Sequence, residues 1–253
     1  FFEVFKKADL IKTNQFYGVH LAKRTASLFS KKLIIRQGYS FIDHRLRENR
    51  DNSKAIKVYE KYVQNNIKAG SAFIFTTNQI YNDYKRKYKF NNNNIRIIPN
   101  YILLNNWKPH FKISKEKKAL IYIGRISEQK NLISLSQALK DTNLKLIIVG
   151  DGEENEKKDL EKSLSNNKVD FKFFKRTNQN NLKKIINLAD AFILPSLYEG
   201  NPKILIEMMS YKVPIIATKV PGIDNLVDNK SCLLIPDTSP RSIRQSILEF
   251  YKI

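Results

Sequence analysis

The stretch that most constrains the fold of this chain is residues 189–218, which has the pattern of a strand, a loop, a helix and a second strand. The apolar run 191–194 stops at a proline, which is typical of a buried parallel strand. Asn201 followed by Pro202 predicts a helix start, because asparagine accepts hydrogen bonds from free N–H groups of the first turn and proline lacks one. The helix should end before the next proline, and residues 214–218 should form the second strand.

Two glutamates lie on either side of this helix start. With Glu199 in the loop before the helix and Glu207 in its second turn, both side chains can line one crevice. The N–H groups and the dipole of the helix start suit an anion, so the pattern predicts phosphate there and hydroxyl groups at the carboxylates. A plainer alternative pairs Glu207 with Lys203 one turn back and leaves Glu199 as a solvated loop acid.

Short apolar runs alternate with amphipathic segments along the whole chain, which predicts parallel strands joined by helical crossovers. The predicted strands are residues 9–13, 33–35, 73–75, 95–99, 119–123, 144–149, 169–173, 191–194, 214–218 and 231–235. The predicted helices are residues 1–8, 18–29, 53–68, 79–88, 132–139, 154–165, 180–188, 202–211 and 240–251. Helical spacing assigns Leu21 and Val58 to the buried sides of their helices.

Length and composition indicate two modest α/β domains. The 253 residues are 42% hydrophobic and 27% charged, which is typical of a globular protein. Residues 101–117 hold the one tryptophan, Trp107, and have no clean periodicity, so we expect them to link domains at 1–105 and 106–253. No apolar run approaches the ~18 residues of a membrane-spanning helix. The single cysteine, Cys232, is predicted to lie in the core, a pattern that suits a reducing cytosol.

The net charge of +21, from 45 Lys and Arg against 24 Asp and Glu, suggests an anionic partner. A nucleic acid, an anionic membrane and a phosphorylated ligand all fit this charge. The sequence contains no nucleic-acid-binding motif, which argues against a specific nucleic-acid partner. None of the histidines, His20, His44 and His110, is spaced for metal binding with another His, Cys or acid, and no Walker loop or nucleophile elbow is present.

Several short motifs, in a fixed order, resemble those of a known family. They are Tyr-Ile-Gly-Arg at 122–125 with Lys130-Asn131, Ile-Ile-Val-Gly-Asp-Gly at 147–152, Pro-Ser at 195–196, Glu-Gly-Asn-Pro with a second glutamate within 199–207, and Pro-Gly-Ile at 221–223. Together they resemble the glutamate-x7-glutamate signature of the retaining GT-B glycosyltransferases of family 4. The resemblance covers about residues 120–250 and, more faintly, residues 8–101.

This resemblance implies an α/β fold of the GT-B type, with two Rossmann-like domains whose parallel sheets face each other across a cleft. Residues 1–105 would be the acceptor-side domain, and residues 106–253 the domain that binds the nucleotide-sugar donor. Relatives open with a strand and a glycine-rich loop and continue into further helices at the other end. We therefore expect the first domain to be incomplete and the second to be truncated at its C-terminal end.

The resemblance also carries over a set of catalytic residues. Arg125 and Lys130 match the family's pair that holds the leaving diphosphate, and Gly124 lies beside them in the same motif. Arginine offers a planar fork of donors and lysine a point charge, and both suit phosphate. Glu199 matches the glutamate that hydrogen-bonds the transferred sugar. No metal is required in this interpretation, because Arg125 and Lys130 supply the positive charge.

The substrate-binding residues implied by the resemblance lie at the helix start. Gly200, Asn201, Pro202 and Lys203 would bind the diphosphate, and Glu207 would bind the ribose hydroxyls. The sequence departs from the family at two other sites. Phe173 stands where relatives often have a glycine near the base, and Gln37 stands where they commonly have a histidine that contacts the sugar.

The implied activity is that of a retaining, hexosyl-type glycosyltransferase (EC 2.4 class). It would transfer a sugar from a nucleotide-diphosphate sugar to a glycan or lipid-linked acceptor, in cell-surface polysaccharide or lipopolysaccharide biosynthesis, without a cofactor. It would act in the cytoplasm, at the inner face of the cytoplasmic membrane, where the basic helices 54–68 and 79–88 would rest on anionic lipid. Lysines kept for solubility are the alternative explanation of those helices.

Two other classes of function remain open on the sequence. One is a different enzyme on the same fold, such as a nucleotide-sugar epimerase or a phosphorylase. The other is a non-catalytic basic subunit that binds nucleotide or an anionic surface. Product analysis with and without an acceptor separates the enzymes, and nucleotide binding without turnover indicates the non-catalytic subunit.

Overall fold

A computed structural model gives the arrangement of the chain. It describes residues 2–38, 53–103, 111 and 116–252. The chain divides into two compact units, Phe1–Asn100 and Tyr101–Ile253. Three residues singled out in the sequence, His44, Trp107 and His110, lie outside the described residues.

The first unit alternates helices and strands in the predicted way. Its helices are α1 (Phe2–Lys7), α2 (Val19–Leu28), α3 (Ser53–Asn66) and α4 (Asn78–Tyr88). Its strands are β1 (Leu10–Lys12), β2 (Lys32–Gln37), β3 (Ala72–Phe75) and β4 (Ile95–Ile97). The four strands pair in parallel in the order β1-β2-β3-β4, so that chain order and spatial order coincide.

Burial alternates along the central strands of this first sheet. Leu33 and Ile35 on β2, and Phe73 and Phe75 on β3, are almost fully buried. The residues between them are half-buried. Because successive side chains of a strand point to opposite faces, the alternation places the core of the unit on one face of the sheet. Val63 of α3 is fully buried in the same core.

Two residues of the first unit contradict the predicted burial. Leu21 is 59% exposed and Val58 is 64% exposed, although helical spacing assigned both to buried sides. On α2 the buried residues are Val19 and Ala26, which are seven residues apart and lie on one stripe. Leu21 is two residues from Val19, about 200° around the helix, and therefore faces away from that stripe.

The described residues of the second unit contain six strands. They are β5 (Ala119–Ile123), β6 (Lys145–Val149), β7 (Asp170–Phe174), β8 (Ala191–Leu194), β9 (Ile215–Thr218) and β10 (Leu233–Ile235). Its helices are α5 (Leu132–Ala138), α6 (Glu154–Asn166), α7 (Gln179–Ile186), α8 (Lys203–Ser210) and α9 (Pro240–Tyr251). All strands are parallel, in the order β10-β9-β8-β5-β6-β7. Every residue of β5, β8 and β9 is buried, as expected for strands that read as continuous apolar runs.

The start of α8 differs from the prediction in one respect. The helix begins at Lys203, and Pro202 occupies the cap position with φ −70° and ψ 107°. Asn201 therefore lies one residue before the cap position, and the prediction that it stands at the cap with Pro202 as the first helical residue is wrong. Proline has no side-chain acceptor, so the cap residue itself makes no side-chain hydrogen bond to the first turn of α8.

The single cysteine lies where the sequence predicted. Cys232 is 5% exposed and packs within the core of the second unit. Burial raises the pKa of its thiol to about 12. The thiol is therefore protonated and unreactive at neutral pH, as expected for a core residue.

Candidate functional site

The strand order of the second unit creates a crevice at one edge of its sheet. From β5 the chain continues to β6 and β7 on one side, and it then returns to β8 on the other side of β5. The loops that follow β5 and β8 therefore diverge at the carboxyl ends of these two strands. In open α/β sheets, ligands bind at such a switch in strand order. The two loops carry the predicted motifs, residues 124–130 and 195–202.

Glycines allow the loops after β5 and β6 to approach each other closely. Gly150 has φ +158°, and a Cβ atom built on it would lie 1.8 Å from the carbonyl oxygen of Gly124. A Cβ on Gly152 would lie 2.4 Å from the carbonyl oxygen of Ile126. Only glycine fits at these two positions, because any side chain would collide with backbone. These contacts fix the loop that carries Arg125.

The carboxylate of Glu199 is the centre of a small polar cluster. Lys130 Nζ lies 2.5 Å from Glu199 Oε1, and Ser196 Oγ donates a hydrogen bond of 2.7 Å to the same oxygen. The side chain of Glu199 is 7% exposed and that of Lys130 is 16% exposed. Glu199 is therefore not a solvated loop acid, and that alternative is excluded. The cluster joins the loop after β5 to the loop after β8.

Tyr122 connects Arg125 to this cluster. Its buried hydroxyl donates a hydrogen bond of 2.6 Å to the backbone carbonyl of Arg125. Burial, and then the negative charge of Glu199, raise the pKa of Tyr122 well above its usual value, and the charge of Arg125 opposes them. The pKa of this one hydroxyl therefore responds to the charge of Glu199 and to that of Arg125. The three predicted catalytic residues, Arg125, Lys130 and Glu199, lie together at one edge of the sheet.

Glu207 lies on α8 and has a more open environment than Glu199. Its side chain is 21% exposed, and Lys203 Nζ lies 3.8 Å from its Oε1. This is the pairing that the plainer alternative predicted. Lys203 is 60% exposed, so water screens the pair and its contribution to stability is small. Burial raises the pKa of Glu207, and the charge of Lys203 opposes that shift.

The segment before α8 is held against the loop after β9. The backbone N–H of Glu199 donates to the carbonyl of Pro221 at 3.3 Å. Gly222 has φ +89°, and a Cβ on it would lie 2.3 Å from the carbonyl oxygen of Glu199 and 2.6 Å from that of Gly200. Glycine is required there both by the positive φ and by this approach. The predicted diphosphate-binding segment therefore has a fixed backbone, and it leads into the start of α8.

Three residues with clear structural roles were not assigned from the sequence. Ser196 donates a hydrogen bond to the side chain of Glu199, and Tyr122 donates one to the backbone carbonyl of Arg125. Asn131, which has φ +55°, donates to the carbonyls of Pro195 and Thr238 at 3.1 and 2.9 Å. All three residues lie inside the motifs quoted from the sequence. Their position beside the assigned motif residues was therefore the signal that could have identified them.

The two remaining predictions in the first unit concern single side chains. Gln37 is 3% exposed, and its Oε1 accepts a hydrogen bond of 2.8 Å from the backbone N–H of Phe16. The side chain at the position of the family's histidine is thus built into the unit itself. His20 lies at the surface, with its Nδ1 3.0 Å from the hydroxyl of Tyr62.

The described part of the chain shows neither a metal-binding cluster nor a membrane-spanning helix. Within it, no three or more His, Cys, Asp or Glu side chains are grouped so that they could hold a metal ion. No helix in the same ranges is both long enough and apolar enough to cross a membrane. Independence of a metal therefore stays a prediction.

Comparison with known families identifies the second unit. The family described as glycosyl transferases group 1 matches residues 105–253, which is more than half of the chain. The chain belongs to this family. The family resemblance predicted from the motifs is confirmed.

Individual relatives agree with this assignment. The chain is 26% identical over 137 residues to the putative teichuronic acid biosynthesis glycosyltransferase TuaC of Bacillus subtilis, covering 53% of this chain and 33% of the relative. It is 30% identical over 158 residues to the UDP-Gal:alpha-D-GlcNAc-diphosphoundecaprenol alpha-1,3-galactosyltransferase of Escherichia coli, covering 54% and 39%. The chain thus matches less than half the length of either relative.

Solved structures confirm the fold over both units. HepE of Anabaena in complex with UDP-glucose superimposes with a TM-score of 0.77 at 15% identity, covering 98% of this chain and 70% of HepE. At this identity the likeness shows the fold alone. The fold is that of the GT-B glycosyltransferases, as predicted.

Proposed function

We propose that this chain carries the donor site of a glycosyltransferase that uses a nucleotide-diphosphate sugar, with UDP as the nucleotide. The observation that carries this proposal is the nearly buried contact of Lys130 with Glu199 at the crevice between β5 and β8, beside the loop that carries Arg125. The nucleotide is inferred from the E. coli galactosyltransferase, whose name includes UDP-Gal, and from the HepE complex, which contains UDP-glucose.

The chemical work of this site is to stabilise charge on a leaving diphosphate. Arg125 is exposed in the loop after β5, and the cap residue of α8, Pro202, makes no side-chain hydrogen bond to the first-turn N–H groups. Lys130 contacts Glu199, and its flexible chain allows its ammonium group to turn toward a bound phosphate. Fixed donors at a developing anion are worth about 10²–10³ in kcat each.

The remaining roles follow the family resemblance. Glu207, half-buried on α8, would bind the ribose hydroxyls, and Glu199 would accept a hydrogen bond from the transferred hexosyl group. The helix start of Gly200, Asn201, Pro202 and Lys203, with Gly124 opposite, would hold the diphosphate. Transfer would proceed with retention of anomeric configuration, with neither glutamate as a nucleophile and without a metal ion.

The acceptor is proposed to be a glycan or a lipid-linked glycan of a cell-surface polysaccharide. The support is in the relatives' names, which include teichuronic acid biosynthesis and a diphosphoundecaprenol-linked sugar. Such an acceptor would place the protein at the cytoplasmic face of a membrane. The last turn of α4 carries Lys85, Arg86 and Lys87, and each such cation near anionic lipid is worth about 1 kcal/mol. Failure to co-sediment with anionic vesicles at physiological salt would contradict the membrane contact.

The function is tested by turnover of UDP-sugars with the variants Arg125→Ala and Glu207→Ala. Each should lower kcat/KM by about 10²-fold or more, because each removes a proposed donor contact. Arg241→Ala, which removes an exposed arginine of α9, is the matched control and should keep full activity. Unchanged turnover in both site variants would refute the assignment. The anomeric configuration of the product, measured by NMR, tests retention, and an isomerised donor formed without acceptor would indicate an epimerase.

A further inference from the structure

The two oxygens of the Glu199 carboxylate have different environments. Oε1 accepts hydrogen bonds from both Lys130 and Ser196, at 2.5 and 2.7 Å. No donor in the described ranges reaches Oε2, although the whole side chain is only 7% exposed. A carboxylate oxygen can accept hydrogen bonds, so Oε2 is the oxygen of Glu199 that is available to a bound ligand.

Ser196 is the more rigid of the two groups that hold Oε1. Ser196 is fully buried, and its backbone carbonyl accepts a hydrogen bond of 2.6 Å from the hydroxyl of Thr218, which is also fully buried. Thr218 belongs to β9, so Ser196 is tied to the neighbouring strand of the sheet. The side chain of Lys130, by contrast, is long and 16% exposed. Ser196 can therefore keep its contact with Oε1 when Lys130 moves.

This difference matters in the proposed reaction. A bound diphosphate competes with Glu199 for the ammonium group of Lys130. When Lys130 turns to phosphate, Ser196 is the one described donor that remains on Oε1. Without that donor the carboxylate could rotate about its last torsion, which is broad and roughly two-fold in energy. The direction of Oε2 would then no longer be fixed.

We propose that Ser196 is a positioning residue, which holds Oε1 of Glu199 and thereby directs Oε2 toward a hydroxyl of the transferred sugar. This inference rests on the proposed function and deepens it, since it concerns the sugar and not the nucleotide. Ser196 itself touches neither. Loss of the Ser196 hydroxyl should therefore lower the affinity for a UDP-sugar and leave the affinity for UDP unchanged.

The test compares the affinities of UDP and of a UDP-sugar for the unaltered chain and for Ser196→Ala, by calorimetry. The probe is whichever of UDP-glucose, UDP-galactose and UDP-N-acetylglucosamine binds the unaltered chain most tightly. We expect the affinity for UDP to change by less than about twofold. The affinity for the UDP-sugar and kcat should fall by about 10-fold or more, as for loss of a hydrogen bond to a charged group. The KM for the acceptor should not change.

Ser136→Ala is the matched control. Ser136 is also fully buried in the second unit, but its hydroxyl lies 3.0 Å from Ser163 and Asn167 on and beside α6, and not near Glu199. The control should leave both affinities unchanged. Ser196→Cys provides a second variant of similar shape with a weaker donor, and it should give an intermediate loss. If Ser196→Ala does not fold, the affinities of Ser196→Cys are compared with those of the unaltered chain instead.

The outcomes separate this inference from the proposed function. If the unaltered chain binds neither UDP nor any UDP-sugar, the proposed function fails and the role of Ser196 fails with it. If the unaltered chain binds and turns over a UDP-sugar but Ser196→Ala behaves like Ser136→Ala, only the role of Ser196 is overturned. An equal loss of affinity for UDP and UDP-sugar would also overturn it, because that result indicates a general structural defect.

Discussion

The two parallel sheets of this protein differ in burial and in strand order. In the first sheet, β2 and β3 alternate buried and half-buried residues, whereas β5, β8 and β9 of the second are buried throughout. In the first sheet the strands follow chain order. In the second, β6 and β7 are added on one side of β5, and β8 to β10 are added on the other side. The predicted catalytic residues gather at that switch of side. A switch in strand order, and not the parallel sheet alone, therefore brings distant motifs together.

The contrast extends to how tightly the loops are packed. In the second unit, Gly150 and Gly222 lie where a Cβ would collide with backbone oxygens. In the first unit, Gly18 also has a positive φ, of +87°, but nothing lies within 4 Å of its Cβ position. The site of the second unit is thus built on close backbone contacts, which leave little freedom for substitution.

The largest expected effect comes from Gly150→Ala. Its Cβ would lie 1.8 Å from the Gly124 carbonyl oxygen, so one of the two loops must move. We expect the free energy of unfolding of the second unit to fall by more than about 4 kcal/mol. Gly18→Ala should cost only about 1–2 kcal/mol, because it suffers the strain of a positive φ without a collision. Urea unfolding measures both, and equal losses would contradict the packing difference between the units.

A second prediction compares a buried ion pair with an exposed one. Lys130→Met leaves the nearly buried charge of Glu199 without its countercharge and should cost about 3 kcal/mol. Lys87→Met in the first unit breaks a pair with Glu60 of similar geometry, 2.7 Å, in which the side chains are 40% and 31% exposed. That change should cost less than about 1 kcal/mol, because water screens the pair. Thermal unfolding of the two variants provides the measurement, and the comparison breaks if Lys87→Met is the more damaging change.

The smallest expected effect concerns Glu207 and pH. Burial raises the pKa of this carboxyl in the folded chain, so its ionised form is disfavoured by folding. Its contribution to stability is fully present below its ordinary pKa of about 4.5 and is lost as pH rises through the folded pKa. Glu207→Gln should therefore slightly raise the melting temperature at pH 7, and the gain should disappear below pH 4.5. A gain that persists at low pH would point to a cause other than ionisation.

The matched change for Glu207→Gln is Glu60→Gln. This variant also loses an ion pair with a lysine, but on the surface of the first unit. It should lower the melting temperature at pH 7 by a small amount or leave it unchanged. Opposite signs for the two variants would sharpen the contrast between a half-buried site carboxylate and a surface one.

The sequence predicted the fold of the second unit more closely than the packing of the first. The predicted bounds of β5, β8 and α9 match those observed, because a fully buried strand is a continuous apolar run and because the side chain of Ser239 caps α9 with Pro240 directly after it. In the first unit, Leu21 and Val58 were assigned to the core and are exposed. Their helices carry apolar residues on several sides, so periodicity alone did not identify the packed face.

The sequence predicted the charged residues of the candidate site but not the residues that hold them in place. Arg125, Lys130 and Glu199 stand out by residue type, and the structure brings them together. The roles of Ser196 and Tyr122 depend on contacts between loops after different strands, which spacing along the chain does not encode. The predicted cap position of α8 was wrong by one residue, since the backbone of Pro202 is extended and Pro202 itself occupies the cap.

The most direct test of the central claim is a thermal-shift comparison of UDP, GDP and ADP on this chain, without added metal. A ligand that binds only the folded state stabilises it by about 2.7 kcal/mol at a hundredfold excess over its Kd. We predict that UDP raises the melting temperature and that Arg125→Ala abolishes most of the rise, whereas Arg241→Ala retains it. No shift with any of the three nucleotides, or the same shift in Arg125→Ala, would contradict a diphosphate site at the crevice between β5 and β8.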